Sequence, residues 1–271
     1  MSSPRPEVAP LTERTPRVVA ARRLLRRRHR DETGRFLAEG PQAVREALSA
    51  AAVVELFATP DALARHPDLF VGTPSVWPVT EKGLASLAET VTPQGVVAVC
   101  RSLDVPLTDA LASRPRLAAG LVEARDPGNA GTVLRTADAA GAELVWFTDR
   151  SVDPYNGKCV RSSAGSLFHV GLATGGGALE GVGALRAAGL MVLAATGAGE
   201  TDLDELADSG ELARPTAWLF GSEAHGLPDE VAQSADRRVR VPIHGRAESL
   251  NLAAAAAVCL YASARAHREP T

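Results

Sequence analysis

Three things are scarce or missing in this 271-residue chain, namely cysteine, a glycine fingerprint and a long apolar run, and each gap removes a class of function. Cysteine occurs only at Cys100, Cys159 and Cys259, with no C-x-x-C pair. That spacing offers no metal or dithiol redox site, so no metal is expected, and it fits three buried thiols in a reducing compartment. The longest apolar run, Leu252 to Ala262, is too short and too rich in alanine to span a bilayer. The first residues are polar and include an acid, which is neither a secretory signal nor a clear transit peptide, and the expected location is the cytoplasm. No G-x-G-x-x-G follows the first strand of the second half. The triplets at 175–177 and 181–183 lack the spacing and read as flexible turns, which argues against a standard dinucleotide site.

What is present divides into two α/β units. Residues 1–16, with four prolines, read as a disordered lead. Residues 17–102 then alternate helix and strand patterns: an arginine-rich helix in which Val18, Val19, Leu24 and Leu25 share a stripe, a helix opened by Pro41, strands at "VVELFAT" and "SVWPVT", a helix opened by Thr80, and a strand at "GVVAVC". Residues 103–116 read as a linker. Residues 117–271 start as strand, loop, helix and strand, which predicts a parallel sheet. Further strands are expected at "LMVLAAT", "TAWLFG" and "RRVRVP", with function in the loops that follow them.

Although the formal net charge is only -3, seven arginines crowd positions 17–30, so any nucleic-acid contact should be local. The phosphate-contacting candidates there are Arg22, Arg23, Arg26, Arg27, Arg28 and Arg30; a solvated helix face is the alternative.

Three loop motifs carry the chemistry. In "EARDPGNAGTVLRTADAAG", Asn129 is placed at a helix cap and Arg135 in the second turn; on the residues alone, Asn129 can simply cap and Arg135 can pair with Asp138. In "WLFGSEAHGLPDEV", Gly221 would admit close approach of a ligand, Pro228 opens a helix, and Glu223 can equally lie in solvent. In "VRVPIHGRAESLNLAAAAA", Pro242 leads a loop that delivers Ser249 and Asn251 to a helix entrance, where capping alone can account for them.

Taken together, and in this order and spacing, the stretches 129–141, 219–227 and 241–252 resemble the SpoU/TrmH family of RNA ribose 2'-O-methyltransferases. Residues 26–48 are similar, more loosely, to that family's substrate-binding domain. The resemblance implies a parallel-sheet catalytic domain with a deep C-terminal trefoil knot, preceded by a small α/β RNA-binding domain. It implies S-adenosyl-L-methionine as cofactor, held by Thr196, Gly197, Leu219, Phe220, Gly221, Val241, Pro242, Ile243, Ser249 and Leu250. It implies catalytic parts for Arg135, Asn129, Glu223, Ser249 and Asn251, and a phosphate contact at Arg161, for which a surface arginine is the alternative. The cofactor has no pyrophosphate, so the missing glycine fingerprint is expected.

The family's base role for an arginine at position 135 conflicts with a guanidinium that keeps its proton to very high pH. We therefore expect Arg135 to orient and stabilise a developing alkoxide while water or a substrate phosphate takes the proton, with Asn129 positioning the ribose or Arg135 and Glu223 ordering its loop. The family dimerises through helices beside the knot, and the alanine run at 253–257 suits close helix packing there; a monomer's core helix is the alternative. The expected substrate is 23S ribosomal RNA. The alternatives are a transfer-RNA 2'-O-methyltransferase, a resistance enzyme of the same family, and a non-catalytic RNA-binding assembly factor.

Overall fold

In a computed structural model, residues 9–268 are described, with the exception of 72 and 74. The chain splits into two compact units, the first made of residues 1–102 and 155–168, the second of residues 103–154 and 169–271. The first eight residues of the expected disordered lead lie outside the described residues. The remainder is ordered: Leu11 bridges to Val79, and its amide donates to the Pro78 carbonyl at 2.8 Å.

Unit 1 runs α1 (Pro16–Arg23), α2 (Arg27–Thr33), β1 (Arg35–Glu39), α3 (Pro41–Ser49), β2 (Val53–Ala58), α4 (Pro60–Arg65), β3 (Val76–Pro78), α5 (Glu81–Ala85) and β4 (Val96–Arg101). The strands form one sheet in the order β1-β4-β2-β3, with β2 and β3 parallel and the other pairs antiparallel. The arginine-rich segment is two helices rather than one. Leu24, Leu25 and Arg26 donate their amides to carbonyls three residues back, so the chain tightens into a turn before α2. One face of the sheet is covered by Val18, Ala21 and Leu24 of the first helix and turn, packed on Leu37, Val97 and Val99. On the other, Phe36 is fully buried against Tyr155 and Phe168, at ring-centroid distances of 4.5 and 6.0 Å.

Among its described residues, unit 2 contains seven strands: β5 (Leu117–Leu121), β6 (Leu144–Phe147), β7 (Gly171–Thr174), β8 (Met191–Ala195), β9 (Thr201–Asp202), β10 (Thr216–Phe220) and β11 (Arg237–Arg240). They form an all-parallel sheet in the order β7-β6-β5-β10-β8-β11-β9. The helices of the second half are α6 (Leu107–Ala110), α7 (Pro127–Ala139), α8 (Gly157–Ser162, which packs in unit 1), α9 (Ala178–Ala187), α10 (Leu203–Asp208), α11 (Asp229–Ser234) and α12 (Leu252–Ala266). Because a parallel sheet is covered on both faces, its central strands are apolar throughout, and every residue of β5, β6 and β10 is buried.

Two corrections follow from the packing. The residues expected as a linker include α6 and belong to unit 2 from Leu103 onward. The 181–183 triplet is not a turn but part of α9, where a Cβ on Gly181 would sit 1.9 Å from the Trp146 ring. Glycine there lets the helix lie flat on a buried tryptophan whose indole donates to the Gly175 carbonyl at 2.8 Å. Residues 175–177 do turn, with positive φ at Gly175 and Gly176. No helix among the described residues is long and apolar enough to cross a membrane.

Candidate active site

The carboxyl ends of β8, β10 and β11 open into a cavity of about 820 Å³ in unit 2, within the usual size of a small-molecule site (about 300–1,000 Å³). Thr196 and Gly197 line it after β8, Phe220 and Gly221 at the end of β10, and Val241, Pro242 and Ile243 after β11. Ser249, Leu250 and Asn251 complete the wall at the start of α12. Leu219 does not reach it; that side chain is fully buried in the sheet core, because side chains alternate along a strand and Phe220 takes the other side. Glu248, Asp202 and Arg240 also line the cavity and were not expected from the sequence. Arg240 pairs with Asp202 at 3.2 Å and donates to the Gly199 carbonyl at 3.2 Å, which ties the loop after β8 to β11.

Gly221 is required, but not for the approach of a ligand. A Cβ there would lie 2.0 Å from the carbonyl carbon of Gly226 and 2.1 Å from the Leu227 amide. The loop after β10 folds back over its own origin, closed by reciprocal amide-to-carbonyl bonds between Ser222 and Gly226 at 3.0 and 2.8 Å.

Asn129 is likewise corrected. The cap of α7 is Asp126, whose carboxylate accepts the Asn129 amide at 2.8 Å, with Pro127 in the first helical position. With the cap supplied, the Asn129 side chain is released for tertiary bonds. Its Nδ2 donates to Glu223 Oε1 at 3.0 Å, and its Oδ1 accepts Asn251 Nδ2 at 3.2 Å. Asn251 is the cap of α12, accepting the Ala253 amide at 2.8 Å. Glu223 also accepts the backbone amides of Arg125 and Asp126 at 3.3 and 3.4 Å. One residue from each of the three motifs therefore joins a single hydrogen-bonded chain. Burial pushes the Glu223 carboxyl up, but the Asn129 side chain and the backbone amides of Glu223, Arg125 and Asp126 outweigh it and hold the group below the usual carboxylate range.

Arg135 is exposed on α7, beyond its second turn, and does not line the cavity. It does not pair with Asp138, because His169 Nδ1 holds that carboxylate at 2.8 Å. Among the described residues no group pairs with the Arg135 guanidinium. Ser249 is exposed on the cavity wall.

The alanine run is explained by what α12 touches. Ala253 and Ala256 are buried on α12, which packs on α7 and on the sheet, and Ala255 lines the cavity. Larger side chains at these positions would force the backbones apart. The helix is also tied polarly, since buried Ser263 receives the Trp218 indole N–H at 2.9 Å and lies 3.2 Å from the Thr216 hydroxyl. Ala254, Val258 and Tyr261 stay exposed on its outer side.

In unit 1, the expected phosphate contacts divide. Arg22, Arg23 and Arg26 are exposed, and none has a side-chain partner among the described residues. Arg27 and Arg28 pair with Asp31 and Glu32 at 3.6 and 2.7 Å. Arg30 is not on this surface: it is buried and donates to the Leu24 carbonyl at 2.8 Å. Arg161, expected in the second unit, packs in unit 1, where Glu89 at 2.9 Å and Glu39 at 3.6 Å engage its guanidinium.

Comparison with known proteins agrees with this geometry. Residues 116–261 match the SpoU rRNA Methylase family, and residues 15–98 match the MRM3-like substrate binding domain. The 23S rRNA (guanosine(2553)-2'-O)-methyltransferase RlmP of Bacillus subtilis is 33% identical over 240 residues, covering 89% of this chain and 92% of the relative. The crystal structure of an AdoMet-bound rRNA methyltransferase from Sinorhizobium meliloti is similar at a TM-score of 0.81 and 33% identity, covering 93% of this chain and 95% of that one. The SpoU methyltransferase AviRb from Streptomyces viridochromogenes, in complex with AdoMet, is similar at a TM-score of 0.80 and 29% identity over 93% and 97%.

Proposed function

Since the chain belongs to the SpoU rRNA methylase family, we propose that it methylates a ribose 2'-hydroxyl of ribosomal RNA, most specifically 23S RNA, using S-adenosyl-L-methionine. The observation that carries this reading is the Asn251–Asn129–Glu223 chain of hydrogen bonds, which ties Asn129 of the first motif to two residues of the cavity lining, one from each of the other motifs. A binding-only module has no need of such a constellation.

The cavity fits the cofactor. Phe220, Val241, Ile243 and Leu250 give apolar walls for an adenine ring, while Thr196, Ser249 and Glu248 give polar edges for the ribose and amino-acid ends. S-adenosyl-L-methionine supplies an activated methyl group together with its leaving group. What remains for the protein is alignment and charge stabilisation. Asn129, held from both sides, positions the ribose. Ionised Glu223 has a lowered proton affinity and serves as a fixed acceptor rather than a base. Arg135 stabilises negative charge on the ribose oxygen, and water or a substrate phosphate takes the proton.

On this reading the protein works in the cytoplasm as a homodimer, with α12 at the subunit boundary. Arg135 lies outside the cavity lining, which suits delivery across such a boundary, and Val258 and Tyr261 leave an apolar outer side on α12. Three buried cysteines, with no disulfide among the described residues, suit a reducing compartment. We also propose that the C-terminal third is a deep trefoil knot. The position of β10 between β5 and β8 supports it, as does the crowding of Gly199, where a Cβ would meet β11 backbone at 2.7 Å. Arg22, Arg23 and Arg26 would contact RNA phosphates.

The test is transfer of radiolabelled methyl from the cofactor to ribosomal RNA from a strain lacking the protein, with primer extension at limiting nucleotide to map the product. Label should enter ribosomal RNA at one ribose; absence of label in RNA, or label on a base, overturns the reading.

A further inference from the structure

Arg35 and Arg101 face each other across the β1–β4 ladder. The Ser102 amide donates to the Gly34 carbonyl at 2.8 Å. That bond makes the neighbouring Arg35–Arg101 register a non-hydrogen-bonded one, the closer of the two antiparallel spacings. Both side chains leave the sheet on the face that carries Leu37 and Val99, beyond the part covered by α1, and both residues are exposed. Like charges directly opposite on such a ladder repel, and a sequence under selection for stability alone would place an acid at one of the two positions.

Nothing in the described structure offsets the repulsion. Neither guanidinium has a side-chain or carbonyl partner among the described residues. On the other flank of β4, the Arg101 amide donates to Ala52, an uncharged residue, at 2.9 Å. Several other arginines of the unit are matched: Arg17 by Glu55, Arg45 by Asp68, Arg65 by Asp61 and Arg161 by Glu89. Arg17 also lies 4.0 Å over the Trp77 ring. The unit thus supplies acids to many of its arginines and withholds them from this pair.

We propose that Arg35 and Arg101 form a two-armed clamp for one phosphodiester of the bound RNA, distinct from the methyl-donor cavity. Two guanidinium groups at cross-strand spacing can each present a fork of N–H donors to the two unbridged oxygens of a phosphate, and the anion removes the repulsion that the free protein carries. The partnerless Arg22, Arg23 and Arg26 of the same unit supply further contacts of the same kind. This inference rests on the RNA-substrate reading and adds to it two residues outside the arginine-rich segment.

The test uses the full-length protein as wild type, Arg35→Gln, Arg101→Gln, the double Gln variant and Arg35→Glu. A fluorescein-labelled RNA stem-loop is the probe, titrated over a range of salt, with inorganic phosphate as competitor. The double Gln variant should bind the stem-loop about tenfold more weakly and flatten the dependence of log K on log salt by about 2. It should also gain about 2 °C in Tm without RNA, and Arg35→Glu should gain more, because a carboxylate then faces Arg101. Unchanged cofactor affinity shows that the variants are folded. The proposal is overturned if affinity and salt slope are unchanged, if Tm falls together with RNA affinity, or if inorganic phosphate competes as well against the double Gln variant as against the wild type. A wild type that shows these binding effects but transfers no methyl group would sink the enzymatic reading and leave the clamp standing; normal transfer with unaltered binding in the variants would do the reverse.

Discussion

His169 and Asp138 form a 2.8 Å hydrogen bond within unit 2, and Asp138 lies one helical turn beyond Arg135 on α7. An acid at that spacing is the natural partner of an arginine on the same helix face. His169 removes it from competition, and the guanidinium proposed to stabilise the ribose oxygen is left without a partner in the described structure. His169→Ala should let Asp138 turn to Arg135 and lower kcat about twofold, the equivalent of ~0.5 kcal/mol for such a pair, with KM for RNA unchanged. The diagnostic result is rescue: adding Asp138→Ala should restore kcat, whereas a merely structural role for His169 predicts a further loss.

Arg135 itself should show a larger and cleaner effect. Arg135→Ala should reduce transfer by about 10²–10³, as expected for loss of one preorganised charge donor. Cofactor affinity by calorimetry should be preserved, since the residue does not line the cavity. Near-wild-type turnover would remove Arg135 from the reaction.

Glu223 links chemistry to acid stability. Its folded-state pKa is depressed, so the ionised group contributes stability above the ordinary carboxylate range, and that contribution is lost as pH falls through the lower folded value. Glu223→Gln should therefore lower Tm near neutrality, and the gap to wild type should close below about pH 4, near the ordinary carboxylate value. Turnover should fall on the order of tenfold through misplacement of Asn129. Parallel Tm profiles for the two proteins from pH 3 to 7 would contradict the assignment.

Ser263 and the thiols test the core. Ser263→Ala leaves the buried Trp218 indole N–H without its acceptor, a loss of about 1–3 kcal/mol, read as a fall in Tm. Burial pushes Cys100 and Cys259 up to about 12. Neither should be alkylated by iodoacetamide at pH 8 in the native state, and both should react after unfolding. Rapid native labelling of either would show that its unit opens.

Much of this was legible in the sequence, and the remainder was hidden for identifiable reasons. Five strands of unit 2 followed from apolar runs ending in turn residues, whereas the short edge strands β7 and β9 were not expected; the cavity lining followed from the loops after three of the five. The Leu219 side chain turns into the core because adjacent strand residues point to opposite faces, which leaves that residue only its backbone to offer a ligand, and only the fold shows which face is the cavity. Asp126-Pro127 was the readable cap of α7, and assigning that part to Asn129 hid the residue's tertiary role. His169 left no local signal: its partner is 31 positions away. The Arg35–Arg101 pairing was equally invisible, because it depends on cross-strand register. Arg30 carries the same side chain as its exposed neighbours, and its burial depends on how the chain turns between α1 and α2.

The return of residues 155–168 to unit 1 bears on how the protein is made. Phe36 gains Tyr155 and Phe168 as neighbours only after the first strands of the second unit have been translated. A nascent chain halted at residue 102 would hold an unfinished hydrophobic interior, and a chimera joined at that position would inherit the same defect. Exchanging substrate specificity between relatives would therefore require transplanting two separate stretches of the gene.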